Sequence, residues 1–228
     1  MSIDVCASRT WWKFHTLKVA PRFGSIDMRP PSVPRAMATS TVLASRTATL
    51  RVKDGCLLGV SVYPNFRYNA SGGGGRGHAT LVDGDAKTVA YQVHFEAGAL
   101  YIPPLDTSTT KILGLPLPPF LRIAIEPLSL RGCLDVDTGR VELDFDAEFK
   151  FTVGTIYAAP PLRVTTTLTT EDSNGMLRSG RGTRRNQEGS CKLVGVARVP
   201  RVEERFLDTF LMLPTDALAE LEAELVLE

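Results

Sequence analysis

The sequence predicts an all-β fold, mainly antiparallel: a β-barrel or a two-sheet sandwich with one or two short helices near the carboxyl end. Three observations carry this expectation. Apolar and polar residues alternate with period two from Ala44 onward. Roughly eight to ten such runs are separated by turn signals, about 8–12 residues apart, the spacing of sandwiches and barrels. Helical periodicity is confined to the region after Val202.

The runs follow in order. In "RTATLRVKDG", Ala48, Leu50 and Val52 alternate with Thr47, Thr49, Arg51 and Lys53, and Asp54-Gly55 reads as a hairpin turn. "CLLGVSVYPNFRY" continues, with Leu58, Val60 and Val62 on one face and Pro64 marking an edge or a bulge. After a glycine cluster, "HATLV" leads to a second Asp-Gly turn at Asp83-Gly84. "TVAYQVHFEAG" sets Val89, Tyr91, Val93 and Phe95 against Ala90, Gln92, His94 and Glu96. "RIAIEP" and "LSLRGCLDV" read as two short strands, and Asp137-Thr138-Gly139 turns into "RVELDFDAEFKF". There Val141, Leu143, Phe145, Ala147, Phe149 and Phe151 alternate strictly with charged residues, the strongest strand signal in the chain. "PLRVTTTLTTE" is β-branched; Asn174-Gly175 turns into "MLRSGRGT", and "CKLVGVARV" follows the Asn186–Gly189 loop. "VEERFLDTFLML" reads as a helix with Phe206, Phe210 and Leu213 on one face, Glu203 and Glu204 at its positive end, and Pro214 as its stop. "TDALAEL" is a second helix candidate; "EAELVLE" fits either a strand or a continued helix.

Composition bounds the class. The chain has 228 residues, 43% hydrophobic and 22% charged, with a net charge of +1, so no global field favours nucleic acid. No run of about 18 uncharged apolar residues exists to cross a membrane as a helix. The charge is uneven. Residues 1–38 hold six basic side chains against Asp4 and Asp27, a net of +4, which leaves −3 for the remainder. Basic, hydroxylated and poor in acids, residues 1–40 read as a disordered organelle transit peptide ahead of a single β domain over 41–228. "VPRAMATS" resembles a stromal processing site, which places the plastid (stroma or thylakoid surface) ahead of the mitochondrion. Of four cysteines, Cys56, Cys133 and Cys191 remain beyond that leader, without C-x-x-C spacing, so neither a zinc ribbon nor a disulfide framework is expected.

Five features bear on chemistry. In "SGGGGRGH", Gly72, Gly74 and Gly77 fit the G-x-G-x-x-G spacing of dinucleotide sites. "HATLV" follows it where a helix should open, so a mobile strand-to-strand loop is expected and no cofactor. Glu142, Asp144, Asp146 and Glu148 share one strand face, about 6.6–6.8 Å apart. A solvated face explains the row without calcium or glycosidase chemistry. His78 and His94 lack metal-ligand spacing, and no G-x-S-x-G elbow supports a triad. The basic run "RSGRGTRR" offers Arg178, Arg181, Arg184 and Arg185 to an anion or lipid headgroup; with no interleaved aromatic residue it is a poor fit to RNA. "KILGLPLPPFL" is apolar and proline-rich for a connection, and Ile112, Leu113, Leu115, Leu117, Phe120 and Leu121 read as a rim for a ligand or a membrane.

No family signature names the chain. "GRVELDFDAEF" and "LRSGRG", behind the leader, are faintly similar to short stretches of plastid lipid-associated proteins of lipocalin-like fold, and no residue role is carried over from them. The expectation is a non-enzymatic protein that binds a lipid or another apolar ligand at or near a membrane surface. Two alternatives stand beside it. One is a scaffold that binds a protein partner through the same apolar patch. The other is a small barrel enzyme using His94 with Glu96 or Asp146 as acid and base.

Overall fold

The computed structural model describes residues 45–82 and 89–228; the expected transit peptide and the expected Asp83-Gly84 turn lie outside the described residues. The strands, all paired antiparallel, run in this order. β1 (Ser45–Val52) and β2 (Cys56–Val60) precede β3 (Phe66–Tyr68), β4 (Gly74–Val82), β5 (Ala90–Phe95), β6 (Leu100–Tyr101), β7 (Thr110–Ile112) and β8 (Leu115–Pro116). Two long strands follow, β9 (Leu121–Asp135) and β10 (Val141–Val153), then β11 (Tyr157–Ala158), β12 (Leu162–Thr169), β13 (Asp172–Asn174), β14 (Ser179–Arg181) and β15 (Ser190–Val199). One short helix, α1 (Arg205–Phe210), leads into β16 (Thr215–Leu227).

Eight of these strands form a ring, in the order β1-β4-β5-β9-β10-β12-β15-β16, closed by β16 pairing back onto β1. The fold is therefore a barrel, not a two-sheet sandwich. Along β10 the inward residues Val141, Leu143 and Ala147 are buried, as the alternation requires. Opposite them lie Phe95, Leu134, Leu193 and Leu225, all buried, and together these fill one end of the ring with side chains.

Four local expectations need correction. Asp54-Gly55 is not a hairpin. Val52 pairs with Ala223 and Leu57 with Glu220, so β1 and β2 are one strand running along β16, with two extra residues bulged out between them. Lys53 N–H still donates to the Glu222 carbonyl at 2.8 Å, and Gly55 absorbs the irregularity at φ +90°. The bulge also changes partners: β1 pairs with β4, whereas β2 pairs with β3, which in turn holds the β7–β8 hairpin. The wall splits here and the ring widens toward its second end.

The region 121–135 is a single strand, not two. Its register slips at one bulge, where Asp146 faces Ser129 and Ala147 faces Pro127. Third, "TDALAEL" is not a helix. Thr215–Leu227 is a strand hydrogen-bonded on both edges, to β15 and to β1–β2, and that pairing overrides the helix propensity of Ala, Leu and Glu. Fourth, the helix is short: it ends at Phe210 with only Leu207 buried, Leu211 and Leu213 are buried just beyond it, and Phe206 and Phe210 remain partly exposed. Glu204 caps it by accepting from Leu207 N–H at 2.5 Å, a bond that holds its carboxyl below the usual range.

The glycine cluster is a loop only in its first part, at residues 71–73. Gly74, Gly75 and Gly77 lie within β4, and the chain passes through them as strand to Val82 with no helix opening at Gly77. A Cβ on Gly77 would lie 2.3 Å from the His94 carbonyl oxygen. Gly74, Gly75 and Gly77 are required because neighbouring backbone comes too close for any side chain, whereas Gly72 lies in the turn before β4 at φ +86° with open space around it.

A second small sheet, the β13–β14 hairpin, folds over the outer face of β15–β16. Asp216, buried on that outer face, accepts from Leu177 N–H at 2.6 Å and Arg178 N–H at 3.3 Å, and Ser173 Oγ accepts from Val196 N–H at 3.0 Å. Asp216→Ala strands two backbone donors, at about 1–3 kcal/mol for each left unsatisfied. It is expected to lower the urea midpoint and to expose the hairpin to limited proteolysis before the barrel opens.

Candidate ligand cavity

The two halves of the ring are filled differently, and the reason is local sequence. Inward positions of β15 and β16 carry larger side chains at one end: Leu193 pairs with Leu221 and Cys191 with Ala223, and Leu225 follows on β16. Toward the other end they become Gly195, Ala197, Ala217 and Ala219. Gly195 pairs directly with Ala219 across the ladder, so two of the smallest residues sit side by side. Space is left where a packed barrel would hold leucine. A cavity of about 430 Å³ occupies it.

Its walls come from almost every segment of the widened end. Leu58 and Val60 line one side, Phe145 and Phe149 another, and Ile123 and Ile125 a third. Among the lining side chains the polar atoms are few. Tyr68 lies buried and donates its hydroxyl to the Pro103 carbonyl, and burial pushes its phenol far above the ordinary range. Thr110 is fully buried beside Thr109, hydroxyl to hydroxyl at 3.3 Å. Thr166 lies on the β12 wall. No charged side chain lines the cavity.

Aromatic residues gather at one end of the cavity. Tyr63, in the turn between β2 and β3, donates its hydroxyl to the Phe210 carbonyl at 2.7 Å, and the two rings lie 6.1 Å apart. Phe210 stacks on Phe206 at 5.5 Å, and Phe206 meets the edge of Tyr157 at 4.8 Å. Tyr63 and Phe210 also line the cavity. Sequence reasoning did not assign these four to one feature, because they sit on three separate segments whose only common property is where the barrel ends.

The predicted rim residues divide. Ile112, Leu117 and Leu121 line the cavity, with Leu117 buried. Leu113, Leu115 and Phe120 project outward, 79%, 71% and 76% exposed. The four arginines already have partners inside the fold. Arg178 binds the Ser61 carbonyl through Nε at 2.8 Å and also reaches Tyr63 O and Asn65 Oδ1. Arg181 pairs with Asp172 at 2.8 Å, Arg184 with Glu171 at 2.7 Å, and Arg185 donates to the Leu225 carbonyl at 2.7 Å. Arg178 and Arg185 tie the hairpin and the following loop to the barrel, whereas Arg181 bridges the two strands of the hairpin itself.

The candidate acid–base groups stand elsewhere. His94 lies opposite His78 across β4 and β5, both exposed on the outer face, and Glu96 is exposed just beyond β5. The acid row lies on the outer face of β10. Asp146 takes a bidentate pair from Arg163 at 2.9 and 2.6 Å, which holds its carboxyl below the usual range, and Asp144 accepts from Thr167 at 2.8 Å. None of these groups lines the cavity. Burial pushes the Cys56 thiol up and the Cys191 thiol up to about 11, so neither is a ready thiolate. Among the described residues, no three His, Cys, Asp or Glu side chains are grouped to hold a metal ion. No family model, curated protein or solved structure matches the chain.

Proposed function

We propose that the barrel holds an uncharged, apolar ligand in its widened half. The observation that carries this reading is a cavity of about 430 Å³ with hardly a polar atom in its walls, next to a half-barrel packed without such space. Protein interiors are close-packed, and a void is costly. Walls with so few polar atoms hold water poorly, so an apolar occupant stabilises the widened half by covering that surface.

Size sets the class of occupant. An apolar cavity of ~150 Å³ takes one benzene, so about three times that volume suits a chain or ring system of roughly seventeen carbons. That is the scale of a fatty acyl chain, an isoprenoid or a carotenoid fragment. The absence of a charge in the walls means that any ionised headgroup stays outside the cavity.

Native mass spectrometry of the purified full chain, before and after extraction with organic solvent, tests this. The expected result is a mass excess that extraction removes and that fragments as an apolar molecule. Protein made without its natural ligand is expected to take up an apolar fluorescent probe saturably at one site. A chain that carries no adduct and shows no saturable probe binding would overturn the reading.

A further inference from the structure

Around the cavity's end stand large apolar side chains that remain exposed. Leu113 stands at the tip of the β7–β8 hairpin, Phe120 at the entry to β9, Ile156 in the β10–β11 turn and Phe206 on α1; they are 79%, 76%, 92% and 47% exposed. They belong to one circuit. Phe66 pairs with Ile112 beside Leu113, Phe120 accepts from Gly154 N–H at 2.8 Å next to Ile156, and Tyr157 touches Phe206, which stacks on Phe210 beside Tyr63. Leu113 and Phe120 reach outward from a left-handed backbone, φ +50° and +76°. Bulky residues rarely adopt that region, and such outliers gather where function holds them.

Cations accompany the same end. Arg67 and Lys111 face each other directly across β3 and β7, both exposed, and neither has an ionic partner among the described residues. Like charges placed opposite each other in a ladder repel. Arg122, two residues from Phe120, is exposed and forms no ion pair among the described residues, though the Asp106 carboxyl, held low mainly by the hydrogen bond from Ser108, also feels its charge. Protruding apolar tips interleaved with unpaired cations are the pattern of a surface that enters the interface of an anionic bilayer.

We propose that this end of the barrel docks on an anionic lipid bilayer, with Leu113, Phe120, Ile156 and Phe206 entering the interface and Arg67, Lys111 and Arg122 meeting the headgroups. The proposal goes beyond the ligand reading and stands or falls separately. It also places the cavity's end against the source of an apolar ligand.

Sedimentation of the full chain with vesicles tests it, using phosphatidylcholine alone and phosphatidylcholine mixed with phosphatidylglycerol. The wild-type chain is expected to sediment with the mixed vesicles and far less with the neutral ones. The triple variant L113S/F120S/I156S changes exposed residues only, and its partitioning is expected to fall at least about tenfold, since each buried apolar side chain contributes independently. R67E/K111E is expected to lose the preference for anionic lipid. Both variants carry the same amino-terminal segment as the wild type, so a difference reports the rim. Thermal melts of the variants check the fold, and probe binding in the cavity is expected to survive in both. A wild-type chain that ignores mixed vesicles overturns the proposal, as does a folded triple variant that sediments like wild type. A wild-type dimer that the triple variant converts to monomer, without vesicle binding by either, overturns it in favour of self-association. Loss of probe binding with vesicle binding intact sinks the ligand reading alone.

Discussion

Ala219→Phe is expected to abolish high-affinity binding of an apolar probe while the ligand-free protein becomes at least as stable as wild type. Ala219 lies on the cavity wall directly opposite Gly195, so a benzyl group there can lie over a residue with no side chain. The ring excludes about six carbons of ligand. At ~0.8 kcal/mol per buried methylene that removes about 5 kcal/mol, or roughly three orders of magnitude in affinity. The same ring fills part of a void whose emptiness is costly. Opposite signs for binding and stability separate a cavity from a packed core, where overpacking strains the fold and lowers stability by about 1–3 kcal/mol. Probe titration and thermal melting of the apo chain read the two effects. A variant that binds as wild type, or that melts well below it, removes the cavity from the account.

The second expected effect is larger and concerns folding. Gly75→Val should leave little folded protein. Gly75 pairs with Leu50 on one side and Leu100 on the other, so β4 is held on both edges. A Cβ there would lie 2.0 Å from the Ala99 carbonyl oxygen, and at Gly74 a Cβ would lie 2.0 Å from that of Leu50. Backbone cannot move aside as a side chain can without breaking the ladder. The cost is expected to exceed the ~3 kcal/mol of ordinary overpacking, against a total stability of about 5–15 kcal/mol for a domain. Gly98→Ala is the control, because nothing lies within 4 Å of a Cβ there. Near-ultraviolet circular dichroism and the urea midpoint distinguish the two. Deletion of Gly72–Gly75, which a linker would tolerate, is expected to unfold the chain as well.

The contrast at these glycines shows where sequence reading stops. Period-two alternation in β5, β10 and β12 was legible because one face meets the core and the other meets water. The turn at Asn174-Gly175 was legible because turn chemistry is local. A glycine run is not: the same residues serve a free loop and a strand squeezed by its neighbours, and only the neighbours decide. The same holds for Asp54-Gly55, whose φ preference suits a hairpin and a bulge alike, and for "TDALAELEAELVLE", where pairing on two edges outweighs propensity. At the site, the apolar run from Ile112 to Leu121 could be flagged because so much exposed apolar surface is costly. Its division into cavity wall and outward tips could not, since it depends on how the β7–β8 hairpin sits on β3. The emptiness of the cavity had a faint signal, in the small inward residues Gly195, Ala197, Ala217 and Ala219.

Ring closure through β1 and β16 has a consequence for biosynthesis. Leu50 must meet Leu225, so the seam of the barrel joins the first described strand to the last. During translation β1 and β2 emerge early and wait, with one ladder edge unsatisfied, until β16 has cleared the ribosome. Such non-local closure is slow, and an open strand edge invites other chains in the interval. The unsatisfied edge therefore stays open for as long as synthesis of the intervening strands takes.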